Sequence, residues 1–236
     1  MTDRLPWDTL VGWADDGQEQ VYDAAAALGP ADVHGASRLD GWSRGHVLSH
    51  LARNADALVN LLNWARTGAE SRMYSSPTER ADGIDEGADR ELPEQLADLA
   101  AANARFLQAA SSVEPVRRSF TVLSGQGREI PAHEVPWLRV RETWLHLVDL
   151  DAGYDIDALP DAVAWALTAD VAGWMSSRTQ ATADLASKFG TIRLGPGSVA
   201  TVIEGSPQRI AGWLTGRSGT SGLTSADAIP ELPPWL

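Results

Sequence analysis

Cysteine is absent from the 236 residues. That excludes disulfides, thiolate metal ligands and a protein-borne cysteine nucleophile, so any thiol chemistry has to use an external thiol. Basic residues are few: 19 lysines and arginines against 32 acids leave a net charge of −13 and a pI of about 4.7. Nucleic acid and an anionic membrane surface are therefore not expected partners. An anionic ligand must be held by local cations against the overall field. No apolar run reaches the length of a membrane span, and the opening MTDRLPWDTL has neither a basic n-region nor an apolar h-region. A cytoplasmic protein is expected. What is present suffices for a core: 44% hydrophobic residues and ten tryptophans, in a length that suits one large or two modest domains.

Apolar spacing predicts a first helix over 7–28, with a broken stripe of Leu10, Trp13, Val21, Ala24 and Leu28, stopped by Gly29-Pro30. Ser43 is placed to cap a long second helix over 44–66, where Val47, Leu51, Asn54, Leu58, Leu61 and Ala65 keep the helical period. Residues 67–91 read as a long polar connection, a feature that is usually functional or mobile. A third helix is expected over 92–113. An excursion over 117–130 includes a short hairpin around Ser124-Gly125-Gln126-Gly127, and a fourth helix covers 131–152. Four helices with one long connection predict a four-helix bundle.

The texture changes after Gly153, so domains are expected at 1–153 and 154–236. The second part has a helix at 160–178 and β-branched alternation over 190–205 around Gly195-Pro196-Gly197, a strand–turn–strand signal. Ser206-Pro207 then opens a helix that ends at Gly216. The tail from 224 is proline-rich. A small α/β domain is expected, giving an α+β chain.

The chemistry concentrates in the stretch 137–149. On that helix Leu138, Leu145 and the stem of Arg141 are expected on one apolar side, and Glu142 shares the stripe with His146 four residues on. A carboxylate buried alone is costly and needs a partner or a metal. His50, beside the stripe of the second helix, completes a candidate set with Glu142 and His146. Two ligands from one helix and one from a facing helix is a common way to build a metal site in a bundle. Nitrogen and oxygen donors without thiolate suit zinc but also admit nickel, cobalt or iron. Three protein ligands leave a position open, the catalytic pattern. A buried Glu–His hydrogen bond within one helix explains the same spacing, and both readings stand at this point. His46 offers a rival pair with His50, although its place at the helix start favours exposure. Asp149 is a candidate acceptor for a ligating imidazole, and His34 and His133 are expected to be solvated. Asn54 is expected either to bond a ligand or to satisfy buried backbone. Arg217, directly after a helix end, either offsets the helix dipole or clamps a carboxylate through its fork of donors.

The chain resembles the mycothiol-dependent maleylpyruvate isomerases over nearly its whole length. The resemblance is carried by Gly41-Trp42 and the following residues to His50, by Ala52-Arg53-Asn54, and by Asn63-Trp-Ala-Arg-Thr-Gly68. It continues in Met73-Tyr-Ser-Ser-Pro77, in Arg141-Glu-Thr-Trp-Leu-His-Leu-Val-Asp149, in Thr215-Gly-Arg217 and in the ending Ile229 to Leu236. The helical part alone resembles the wider DinB-like metal-binding bundle superfamily. The resemblance implies a DinB-like four-helix bundle followed by a small α/β domain similar to sterol-carrier modules. It also implies zinc on His50, Glu142 and His146, and a catalytic arginine at Arg217. Tyr74, Ser75 and Arg80 become candidates to line the cleft.

The implied activity is cis–trans isomerisation of maleylpyruvate to fumarylpyruvate in gentisate-type aromatic degradation. Mycothiol supplies the sulfur that this chain lacks, and the implied zinc lowers the pKa of that thiol. Two other readings share these features: a mycothiol S-transferase acting on another electrophile, and a non-enzymatic binding module. A metal-assisted hydrolase is weaker, since no separate general base stands out.

Overall fold

In the computed structural model, residues 5–198 and 200–235 are described. The chain divides into two compact units, one ending at Gly153 and the other beginning at Tyr154. The architecture is α+β, rich in helix with a small C-terminal sheet.

The first unit holds α1 (Trp7–Ala26), α2 (Arg44–Thr67), α3 (Pro77–Ala88), α4 (Leu92–Ser111) and α5 (Val135–Asp149). α1 packs on α5 and α4, and α2 packs on the same two, which makes the four-helix bundle. Ser43 caps α2 by accepting a hydrogen bond from the His46 amide, and the His46 ring reaches back to the Ser43 amide to close a capping box. Gly68 ends α2 in the left-handed region at φ 80°. The hairpin is present as β1 (Thr121–Leu123) paired antiparallel with β2 (Glu129–Pro131). α1 and α5 approach closely because Gly17 has no side chain: a Cβ there would lie 2.5 Å from Thr143 Oγ1.

Two expectations need correction in this unit. The stretch 67–91 is not merely a loop, because its second half is α3, packed on α2. Ser76 caps that helix through the Glu79 amide and Pro77 opens it. The apolar side of α5 is also only partly the one expected: Leu145 is buried as expected, but the rest differs. Arg139, not Arg141, is fully buried, while Leu138 and Arg141 are only half-buried. Arg139 is accommodated because Nη1 donates to the Leu51 carbonyl at 2.8 Å and to Asn54 Oδ1 at 3.0 Å, and Nη2 donates to Gln18. Burial pushes its pKa down to about 10, which leaves it charged at neutral pH.

The second unit contains α6 (Asp161–Met175), β3 (Ala183–Ser187), β4 (Gly190–Leu194), β5 (Thr201–Glu204), α7 (Pro207–Thr215) and β6 (Thr224–Ser225). The sheet order is β4-β3-β5-β6. The stretch does form two strands, Gly190–Leu194 and Thr201–Glu204, but they do not pair with each other as a hairpin would. β3 lies between them, antiparallel to β4 and parallel to β5. α6 packs on α7 and on β4, burying Val163, Leu167, Leu194, Ile210 and Leu214. Ser206 caps α7, Pro207 fills its first position, and Gly216 closes it in the left-handed region. Among the described residues, no helix is long and apolar enough to cross a membrane.

Candidate metal centre

α2 and α5 face each other in the bundle, and the helical period sets His50 of α2 against Glu142 and His146 of α5. His50 Nε2 lies 2.8 Å from Glu142 Oε2, and His146 Nε2 lies 3.4 Å from the same oxygen. One donor atom from each residue fits within 4.8 Å of the others. The two imidazoles meet edge to face with centroids 4.8 Å apart, and the Trp42 ring packs 5.5 Å from His50. The His50 side chain is 4% exposed, whereas Glu142 keeps 28%, so the carboxylate sits where a small molecule can reach it.

The second ring nitrogens are also occupied. His146 Nδ1 lies 2.9 Å from Asp149 Oδ2, one turn further along α5. That contact turns Nε2 towards Glu142. His50 Nδ1 accepts a 3.4 Å hydrogen bond from Arg80 Nη2 on α3. The two contacts of His50 fix its tautomer: Nε2–H donates to Glu142, and Nδ1 carries the lone pair that Arg80 meets. Burial raises the pKa of the nearby Tyr74 phenol, against the positive charge of Arg80.

The charges follow from these partners. Burial lowers the His50 imidazole below its ordinary value, against the opposing pull of Glu142. Burial acts the same way on His146, but its hydrogen bonds to Asp149 and Glu142 prevail and raise it. Burial pushes Glu142 up, yet hydrogen bonds from His146 and His50 outweigh that and hold it well below the usual carboxylate range. Glu142 is thus an ionised carboxylate between two imidazoles.

This donor set fits a divalent cation. Bonds of about 2.0–2.1 Å to nitrogen and oxygen in a tetrahedron separate the donors by roughly 3.3 Å, close to the spacings from Glu142 to each histidine. A histidine whose far nitrogen meets a carboxylate is the usual support for a metal ligand.

The other candidates fall elsewhere. His46 closes the capping box of α2 and lies outside the cluster. Asn54 accepts from Arg139 and therefore serves the core. His34 is exposed. His133 is not solvated as expected: it is half-buried, with Nε2 2.9 Å from the Leu5 carbonyl and its ring against Trp7. Arg217 belongs to the second unit, is half-buried, and donates from Nη1 to the Thr215 carbonyl at 2.9 Å. Arg139 is the buried charge that sequence reasoning missed. The available signal was its place one turn before Glu142 on the stripe that also carries Thr143.

Residues 14–151 match the family model described as the mycothiol maleylpyruvate isomerase N-terminal domain. The whole chain is similar to the solved structure of a mycothiol-dependent maleylpyruvate isomerase, with 32% identity and a TM-score of 0.88 over 100% of this chain and 99% of the other. A histidine-to-alanine mutant of a mycothiol-dependent maleylpyruvate isomerase matches with 31% identity and the same TM-score and coverage. None of the curated proteins matches the chain.

Proposed function

Because the chain belongs to the mycothiol maleylpyruvate isomerase family, we propose that it converts maleylpyruvate to fumarylpyruvate with mycothiol as the thiol. The observation that carries this reading is the convergence of His50, Glu142 and His146 within 4.8 Å in a chain of this family. We assign zinc to those three residues, since the donors are two nitrogens and an oxygen and a position stays open. Zinc held by His50, Glu142 and His146 would supply Lewis acidity that lowers the pKa of a thiol.

The reaction needs a sulfur that this cysteine-free chain does not own. A carbon–carbon double bond does not rotate at useful rates. When a thiolate adds, a C–S bond forms and the π pair moves onto the conjugated carbonyl oxygen. The bond left behind is single and rotates. The pair then returns, rebuilds the double bond and expels the thiolate, so the thiol is recovered unchanged.

The chain's own groups have separate tasks. Ionised Glu142 and the two imidazoles form the cation site, and Asp149 fixes the orientation of His146. We assign Arg217 to the substrate carboxylate or to the oxyanion formed on addition, where a fixed guanidinium acts as an electrostatic stabiliser.

The test is maleylpyruvate isomerisation followed by ultraviolet absorbance, with mycothiol present and absent and with protein stripped of metal. Activity that requires both is expected. A protein that binds one equivalent of metal yet leaves maleylpyruvate unchanged overturns the substrate assignment and points to transfer of the thiol to another electrophile.

A further inference from the structure

Arg217 is tied at two ends to the helix that precedes it. Its amide donates to the Gly212 carbonyl at 2.9 Å, and the Ser218 amide donates to the same oxygen at 3.1 Å. Gly216, in the left-handed region at φ 73°, makes the turn that folds the chain back over the end of α7. At the far end of the side chain, Nη1 donates to the Thr215 carbonyl at 2.9 Å. Thr215 is itself buried, and its Oγ1 donates to the Ala211 carbonyl at 2.8 Å. Both anchors are thus carbonyls of the last turn of α7, which have no partner within the helix.

The returning chain lies close on α7 because residue 212 has no side chain. A Cβ there would lie 2.4 Å from Ser218 Oγ, a separation that side chains do not adopt, and 3.0 and 3.2 Å from Cγ1 and Cγ2 of Ile156. Ile156 belongs to the short 3-10 turn Ile156–Ala158 and closes the other side. Neither partner of this contact is a good local choice. Glycine is a poor helix former, yet Gly212 lies inside a helix of nine residues. Ser218 Oγ is buried with no hydrogen-bond partner among the described residues, which is unfavourable for a hydroxyl. Local choices that work against the fold gather where function requires them, and these two meet directly beside Arg217.

We propose that Gly212 is a positioning residue for Arg217: its bare surface sets how closely the turn 216–218 lies on α7, and so where the guanidinium is held. The inference rests on the role given to Arg217 above and adds the residue that places it. Gly212 itself touches no substrate. A group that stabilises developing charge works only from a fixed place, and a displacement of about 1 Å is enough to lower a rate about 100-fold.

The test compares Gly212→Ala, Ser218→Ala, the two together, and Arg217→Ala, all in the full chain. Gly212→Ala should lower kcat/KM for maleylpyruvate by roughly 10–100-fold with metal content unchanged. It should also shift the Arg217 Nε–H signal in a proton–nitrogen spectrum, the signal being identified by its loss in Arg217→Ala. Ser218→Ala removes an oxygen that makes no hydrogen bond and should behave as the wild type. Added to Gly212→Ala, it clears the space for the methyl group and should restore both the rate and the signal. In the Arg217→Ala background, Gly212→Ala should cost little further rate, because the group that it displaces is gone. A glycine needed only for packing gives another pattern: a lower thermal midpoint with the Arg217 signal unmoved, or an equal loss of rate with and without Arg217. Either result overturns the proposal. If the wild type does not isomerise maleylpyruvate, or Arg217→Ala does so at the wild-type rate, it is the proposed reaction or the role of Arg217 that falls. The Arg217 signal then still decides whether Gly212 sets that side chain.

Discussion

His146 and Asp149 are joined side chain to side chain on α5, Nδ1 to Oδ2 at 2.9 Å, with the carboxylate almost fully buried. The contact has one geometric consequence: it commits Nδ1 and leaves Nε2 as the nitrogen that faces Glu142. Asp149→Ala should therefore lower metal affinity by roughly 10–100-fold, the usual cost of losing such a support. Asp149→Asn, whose amide oxygen still accepts from Nδ1–H, should recover part of it. Competition against a chelator of known affinity measures both. Equal affinity in Asp149→Ala and the wild type would show that the carboxylate does not position the ligand.

Arg80 bears on metal loading with the opposite sign. It donates to His50 Nδ1, which requires the proton of that ring to sit on Nε2. A metal on Nε2 needs the other tautomer, with Nδ1 protonated, and Arg80 then faces a donor with a donor. The hydrogen bond therefore stabilises the metal-free state, and a guanidinium near a dication adds repulsion. Arg80→Ala should bind metal more tightly by a few-fold to about tenfold, in line with a net hydrogen bond of about 0.5–1.5 kcal/mol. Weaker binding in the same chelator competition would mean that Arg80 supports the site.

Much of the bundle and the shared face of Glu142 and His146 on α5 could be read from spacing and caps. Ser43 and Gly68 mark the limits of α2, Ser206-Pro207 and Gly216 those of α7, and the four-residue interval from Glu142 to His146 places both on one helix face. Three features were hidden, each for a physical reason. α3 buries little beyond Ile84, Gly87 and Ala88, too narrow a stripe for periodicity to register, although Ser76-Pro77 followed by Glu79 carries a start signal. β3 has no β-branched residue in Ala183–Ser187, so its central place in the sheet is fixed by its neighbours rather than by propensity. The burial of Arg139 depends on Gln18 and Asn54 from two other helices, an arrangement that no local pattern encodes. The meeting of His50 with Glu142 and His146 likewise depends on how two distant helices face, which no local pattern encodes.

Gly17 permits the close packing of α1 on α5, the helix that carries Glu142 and His146. A Cβ at this position would lie 2.5 Å from Thr143 Oγ1 and 2.8 Å from Trp144 Nε1, and that indole already donates to the Trp13 carbonyl at 2.8 Å. Gly17→Ala gains about 1 kcal/mol in helix propensity but overpacks a site where such insertions cost about 1–3 kcal/mol. A net loss of about 1 kcal/mol is expected in denaturant unfolding. Stabilisation would mean that α5 yields to the methyl group without strain.

Arg139 is the least expected member of the core and makes the strongest prediction on stability. Its guanidinium satisfies the Leu51 carbonyl, Asn54 Oδ1 and Gln18, while its own Nε lacks a partner. Arg139→Leu removes the donors and leaves those acceptors buried and unmatched, at about 1–3 kcal/mol each, and removing the costly buried charge offsets part of that sum, so a net loss of about 3–5 kcal/mol is expected. The charge itself is not what the fold needs, since its burial is costly. Replacing Gln18 and Asn54 by leucine together with Arg139→Leu takes away two of the orphaned acceptors with their donor and should recover most of the loss. Chemical denaturation of the single and triple variants separates the two ideas. If the triple variant is no more stable than Arg139→Leu alone, then the guanidinium contributes through its charge, acting on Glu142 one turn away, rather than through the hydrogen bonds that it supplies.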